Sequence, residues 1–461
     1  MSANNLFFSR DTKLYIELFD PATGAVDTDG SVWELPILDG FSFSQSTNTS
    51  EVTLSEASKN GVSRRGRKVF TDNFAPAEFS FSTYVRPIVS PANANGDVGD
   101  WEAASVADNK HHAIEEVLWG MFTGDSTFTK SAGSVDAAWS DSITNSTSNM
   151  LVDFSNSNKA QLNKANMYFV MGGDQSIVST TLDADAAQSQ KVVPVTSTVG
   201  IKKGDYMRFA GEPQNVIYEV DTIDPGVSVT LKDNLPGDIG NTTTVTFSSA
   251  QVYKLEGAVL NEVSIDFDLE GIATLSWSGM ATAISEAFSA PTKTIYEGIT
   301  GTNSFIRNKL SELTLTSGVS AIPSEQVYDI TLTGGSITMS NNLSFLTPEE
   351  IGTVNKAIGH ITGTRSITGS FTCYLNTIAN GSADLFEDLL SATSVVTHDF
   401  SAVAKIGGAS NVPRVEFSMP NCHVSLPAIN IEDVVSVEVT FDALPSSIPG
   451  TDELSITYVG A

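Results

Sequence analysis

The chain has 461 residues, enough for two or three domains with real cores, and carries 54 acidic against 25 basic side chains, a formal net charge of −29. That balance argues against a protein that grips nucleic acid by neutralising phosphates, because such binding needs a cationic surface. No apolar run is long enough to span a bilayer, and the opening Met1-Ser2-Ala3-Asn4-Asn5-Leu6 lacks the basic flank and hydrophobic stretch of a signal peptide, so synthesis and assembly in a cytoplasm are expected.

Residues 7–18 alternate as a half-buried strand, and 33–44 read as a second extended stretch. Between the strand candidates 51–54 and 79–81 lies a long loop or hairpin tip carrying the one basic cluster, Arg64, Arg65, Arg67 and Lys68. The strand at 78–85 is followed by an amphipathic helix over 113–122, where Ile114, Val117, Leu118 and Met121 recur at helical spacing. The stretch 125–149, rich in Ser, Thr, Asn and Gly, reads as an exposed loop. Next come five short strand candidates, 192–195, 206–209, 216–220, 227–231 and 243–247, separated by turn signals such as Asp224-Pro225-Gly226. They predict a small β-barrel at 176–252, inserted into a loop and lying on the outside, since loops of rigid scaffolds accept such additions. A hairpin-like pair, 258–269 and 273–277, closes this part.

Residues 291–303 read as a linker, and beyond it the same order of elements returns. Strands at 305–315, 328–342 and 367–375 precede a helix over 383–390 with Leu385, Leu389 and Leu390 as its stripe, and a hairpin-like pair, 422–431 and 435–444, closes the second copy. The fold class is therefore mainly β, with two tandem domains at 1–290 (interrupted by 176–252) and 304–449, each flanked by one helix. The tail 450–461 holds an alternating stretch, 454–459, expected to extend a sheet edge in its own subunit or a neighbour's.

Candidate chemistry is sparse. Asp266, Asp268 and Glu270 alternate with Ile265, Phe267 and Leu269, as the polar face of a half-buried strand does; three carboxylates on one face would also suit a hard cation, or line an acidic channel. Cys373 and Cys422 fall in strands and read as small buried residues rather than a disulfide, and no CxxC or zinc spacing occurs. The five histidines lie in no HExxH or nucleophile motif, and no phosphate-binding glycine loop is present, so neither enzyme activity nor a cofactor is expected. The basic cluster could be a nucleic-acid patch, but with no second basic segment it fits better a contact with the acidic surface of an identical subunit.

Several strings resemble the major tail tube protein of long, non-contractile-tailed phages, the T-five-like siphophages. They are Phe70-Thr71-Asp72-Asn73, Pro76-Ala77-Glu78-Phe79-Ser80-Phe81-Ser82-Thr83-Tyr84 and Leu275-Ser276-Trp277-Ser278-Gly279 in the first copy, and in the second Phe305-Ile306-Arg307-Asn308-Lys309-Leu310, Asn341-Asn342-Leu343-Ser344-Phe345-Leu346-Thr347-Pro348 and Thr368-Gly369-Ser370-Phe371-Thr372-Cys373-Tyr374. The resemblance covers both copies, skips roughly 176–252, and departs in that a family member carries a C-terminal immunoglobulin-like domain that is not expected here. It implies two tube domains, each a β-sandwich or half-barrel sheet with a flanking helix, and three chains per pseudo-hexameric ring. It also implies that rings stack into the virion's tail tube, with tape measure and tail-end proteins as partners and genomic DNA passing through the lumen without specific binding. A lumen of Ser, Thr, Asp and Glu would conduct DNA by not binding it. The alternative is a receptor- or glycan-binding virion protein acting through the inserted domain, but Tyr206, Phe209 and Tyr218 fall inside its strands, where core packing is expected.

Overall fold

The computed structural model describes residues 7, 9–19, 24, 26, 32–53, 56–57, 63–64, 67–89, 110–125, 128–130, 137–139, 141–158, 161–172, 177–213, 215–268, 270–291, 295–297, 305–318, 325–347, 356–391, 400–408, 413–431 and 434–460. Among these the protein is mainly β, with two α-helices, α1 (Glu116–Thr123) and α2 (Ser382–Ser391).

Alternating apolar residues in most strands dictate two packed layers, and each copy builds them in the same way. In the first copy one sheet orders Val32–Leu35, Thr12–Leu18, Ala165–Met171, the opening half of Gln251–Asp268, and Ala283–Ala287. The other orders Ser42–Ser44, Ala77–Tyr84, Thr274–Ala281 and the closing half of the same long strand. Gln251–Asp268 serves both layers because it shifts register between Leu260 and Glu262, where a bulge bends it from one sheet into the other. The second copy repeats the plan. Val327–Ile330, Glu312–Ser317, Phe400–Gly407, Arg414–Val424 and Ser455–Val459 form one layer. Leu332–Ser340, Ser366–Tyr374, Ser436–Ala443 and the end of Arg414–Val424, continued by Ala428–Asn430, form the other.

The copies are joined through the main chain. Residues 262–268 pair antiparallel with 334–340, from Glu262 opposite Ser340 to Asp268 opposite Gly334, so the second layers of both copies make one continuous sheet, hereafter the shared sheet. The remaining layers are flanking sheets. The tail strand Ser455–Val459 lies between Arg414–Val424 and the first copy's Met150–Asp153, which places its pairing within its own chain. Of the expected linker 291–303, residues 295–297 run parallel to Val32–Leu35, with Val32 opposite Ile295, whereas 292–294 and 298–303 lie outside the described residues.

One core cluster spans both copies, with Phe79, Phe81, Trp277, Ile337, Phe371 and Phe441 from the shared sheet among its members. Each such fully buried side chain contributes roughly 1.5–3 kcal/mol over an exposed one. Gly279 makes room there: a Cβ on it would sit 2.6 Å from Phe79 Cζ, so the aromatic ring fills the space the glycine leaves.

The insertion has its own core, including Val193, Met207, Phe209, Val220, Leu231 and Phe247. Its strands follow the order Ile177–Thr181, Thr244–Ser248, Tyr206–Phe209, Tyr218–Asp224, Ser228–Leu231, Val192–Pro194. The expected barrel is not closed by a full ladder: among the described residues the first and last strands are joined by the bridge between Leu182 and Val195 and by the Thr196 hydroxyl, which contacts those of Thr180 and Thr181. Tyr206 lies within a strand, and Phe209 and Tyr218 are packed edge to face, 5.5 Å between centroids, as core residues.

Candidate functional site

The strands of the shared sheet turn most of their apolar residues toward the flanking sheets, with Met280 and Tyr374 among the exceptions, and this leaves the opposite face largely to the polar alternate positions. Those positions carry short hydroxyls and carboxylates in rows that cross the strands. Ser82, Ser276, Ser264, Thr338, Thr368 and Asp442 stand in register from the first copy to the second. Thr274, Asp266, Ser336, Ser370 and Thr440 form the next row. Hydroxyl pairs bridge neighbouring strands: Ser42 with Ser80 at 2.9 Å, Ser82 with Ser276 at 3.2 Å, Ser336 with Ser370 at 3.2 Å. No Lys or Arg side chain stands on this face among the described residues. Asp266 and Asp268 are exposed on it, and Glu270 is exposed just past the strand's end. Among the described residues no three Asp, Glu, His or Cys side chains converge to hold a metal ion.

A depression of about 290 Å³ opens on this face beside Ser42, Ser44, Glu78, Asn261 and Ser278. It holds one carboxylate among hydroxyls and no nucleophile paired with a base. His423 stands opposite Asp442 at the second copy's end of the face. Cys373 and Cys422 are free and buried, and burial pushes their thiols up to about 11 and about 12, which makes them unreactive core residues.

Arg64, Arg67 and Lys68 lie on a hairpin arm that leaves the shared sheet between Ser42–Ser44 and Ala77–Tyr84. Thr47–Thr53 pairs with Arg67–Phe74, and toward the tip Glu56–Ala57 pairs with Ser63–Arg64; Arg65 lies outside the described residues. Arg67 sits 3.6 Å from Glu51, and Lys68 lies over the Phe70 ring at 4.9 Å. Both acid and base of that ion pair are exposed, so the contact stabilises little. Val52, Val69 and Phe70 on the same arm are each about half exposed. The second copy carries a shorter arm at the equivalent place, Ser344–Leu346 paired with Gly359–Ile361.

A buried polar cluster around α1 was not legible as a site in the sequence. Glu115 accepts the Arg86 backbone N–H at 3.4 Å and takes a hydrogen bond from the Tyr458 hydroxyl, which itself accepts the Trp119 indole N–H at 2.7 Å. Burial pushes the Glu115 carboxyl up to about 7, with its own and the Arg86 backbone N–H, the Tyr458 hydroxyl and the Arg86 charge opposing. Glu116 holds His112 at 2.9 Å, Asn145 at 3.2 Å and the Trp139 indole at 2.5 Å. The Asp125 carboxylate accepts the backbone N–H groups of Asp141, Ser142 and Ile143. These bonds correct the reading of 125–149 as an exposed loop for part of its described residues: 139 and 141–143 are held near α1, with Ser142 and Ile143 buried and Trp139 stacked on Trp33 at 6.1 Å, while Thr144, Thr147 and Ser148 are exposed. Because Tyr458 belongs to the tail strand and Arg86 stacks on Phe305 at 4.9 Å, the cluster ties the first copy to both ends of the second.

No family model matches the chain. Its sequence is similar to tail tube protein pb6 of Escherichia phage T5, 23% identical over 452 residues that span 96% of this chain and 74% of that protein. The resemblance carried by the strings quoted above is thereby borne out, and the matched span runs through residues 176–252 as well, which those strings skip.

Proposed function

We propose that the chain is the structural subunit of a phage tail tube: three chains, each with two tube domains, form a pseudo-hexameric ring, and stacked rings enclose the channel through which the genome leaves the virion. Similarity to a tail tube protein along nearly the whole chain supports the structural, non-enzymatic role. The observation that carries the ring is the join between copies. The last strand of the first copy's share of the sheet pairs with the first strand of the second copy's share, and repeating that step from chain to chain would close the sheet and remove its open edges.

In this reading the face of hydroxyls and carboxylates, with Asp266 and Asp268, lines the lumen, where a surface without cations repels phosphates and lets DNA slide. The flanking sheets face outward, and the insertion at 176–252, which leaves the end of Ala165–Met171, decorates the outside. The arm with Arg64, Arg65, Arg67 and Lys68 reaches a neighbouring subunit or ring, where its bases meet an acidic surface and its exposed Val69 and Phe70 are covered. Assembly takes place in the host cytoplasm, with the tape measure and tail-end proteins as further partners.

Negative-stain electron microscopy of the purified protein tests the proposal. Hollow tubes of uniform diameter are expected; solid particles at every concentration and ionic strength would overturn it.

A further inference from the structure

The two copies place their strands so regularly that the register of a contact between chains can be worked out from the one within the chain. In the first copy Ser42 stands opposite Ser80, and in the second Ser336 stands opposite Ser370, each pair bridged by its hydroxyls. Ser42-Phe43-Ser44 is thus the counterpart of Ser336-Ile337-Thr338. Continuing across the sheet, Phe81 faces Trp277 as Phe371 faces Val439, and two positions further along, Leu275 faces Ile265 as Val437 faces Ile429. Ala428-Ile429-Asn430 is accordingly the counterpart of Ser264-Ile265-Asp266. Within the chain those latter residues are covered by Thr338, Ile337 and Ser336. Neither Ser42–Ser44 nor Ala428–Asn430 has a strand on its other side among the described residues.

We propose that Ala428–Asn430 of one chain pairs antiparallel with Ser42–Ser44 of a second copy in one register, with Ala428 opposite Ser44, Ile429 opposite Phe43 and Asn430 opposite Ser42. This rests on the ring reading above and adds which residues meet. The occupant is fixed by continuity with the join inside the chain and by what lies bare at this edge: Ile429 is 45% exposed and Leu426, Ile431 and Val434 more so, whereas Ile265 and Phe267, the counterparts of Ile429 and Ile431 at the internal join, are buried. The contact between chains is also the shorter of the two. The internal join pairs seven residues, Glu262 to Asp268, without interruption. The outer edge is broken by Pro427, which cannot donate to a ladder, and offers a three-residue strand on each side. Rings should therefore part between chains before the copies within a chain separate.

The test is oxidation of assembled full-length protein carrying one cysteine on each edge. Ser44 and Ala428 are exposed, so Ser44→Cys with Ala428→Cys leaves the core intact, and directly opposed residues on antiparallel strands are close enough for a disulfide. Covalent dimers and trimers are expected from this pair, and at least tenfold fewer from Ser42→Cys with Ala428→Cys, which samples a slip of two residues. Efficient linkage of the second pair instead of the first overturns the register. Tubes that form normally but link through neither pair overturn the contact while leaving the tube reading intact, and absence of tubes from the unaltered protein defeats that reading itself.

Discussion

Replacing Glu115 by Gln should stabilise the protein at alkaline pH, although it removes a buried hydrogen-bonded carboxylate. The carboxyl is pushed up to about 7 from an ordinary 4.5, chiefly by burial, so the fold favours its protonated form. For an acid shifted in this direction the cost is absent below about pH 4.5, grows as pH rises through the interval, and is complete above about 7. That displacement corresponds to about 3 kcal/mol at pH 8, falling to about 1 kcal/mol at pH 5. Gln keeps an oxygen to accept from the Arg86 N–H and the Tyr458 hydroxyl and cannot ionise. Its amide N–H groups need partners of their own, which sets 3 kcal/mol as the upper bound. Urea unfolding of both proteins at pH 5 and pH 8, read by tryptophan fluorescence because Trp119 lies in the cluster, should show the variant's midpoint above the wild type's at pH 8, with the gap shrinking to about a third at pH 5. Equal midpoints at pH 8, or a more stable wild type there, would refute the reasoning and mean that the Glu115 carboxylate ionises in the fold without that cost, held by Arg86.

Changing Arg64, Arg65, Arg67 and Lys68 together to Ser should leave the far-ultraviolet dichroism and melting of the unassembled chain unchanged and raise the concentration needed for tubes at least tenfold, about 1.4 kcal/mol of lost contact; sedimentation of polymer against concentration measures it, and an unchanged threshold removes the arm from assembly. Deleting 176–249 with a short Gly-Ser bridge, which spares the long strand beginning at Gln251, should give thinner tubes of the same lumen diameter by electron microscopy, whereas loss of all tubes would put the insertion in the wall.

The duplicated order of elements, both helices and most strands were legible because the signals are local: alternation, helical spacing and turn residues act within a few positions. The strand Ile177–Thr181 was missed because its Ser and Thr residues resemble loop composition, and 125–149 was misread for the same reason. Polar residues usually mark exposure, but Asp125 is a buried acceptor that organises three backbone N–H groups, and nothing in the neighbouring sequence announces that. One signal for the α1 cluster was present: Glu115 and Glu116 lie consecutively in a run otherwise apolar on every side, Ile114, Val117, Leu118 and Trp119, and a helix buried all round has to satisfy any carboxylate it contains. Asp266 and Asp268 were readable as a polar strand face, yet alternation cannot say which sheet a strand joins. That depends on the bulge between Leu260 and Glu262, which hands the long strand from one layer to the other.

The same bulge explains how a duplicated chain makes a continuous surface rather than two sandwiches on a string. A strand confined to one layer would leave each copy with its own closed pair of sheets and a flexible tether between them. By crossing from the flanking to the shared sheet, Gln251–Asp268 brings residues 262–268 to the first copy's edge, with seven residues free to receive the second copy's opening strand. In the second copy the counterpart, Arg414–Val424, crosses in the same way but carries Pro420 and is separated by Pro427 from Ala428–Asn430, so the edge it leads to is short. The tail strand then seats Tyr458 against α1 of the first copy, so the internal join is held in both layers. In the proposed ring, a subunit built in this way would enter assembly with one contact already made and reinforced, and with its two open edges as the two halves of the next.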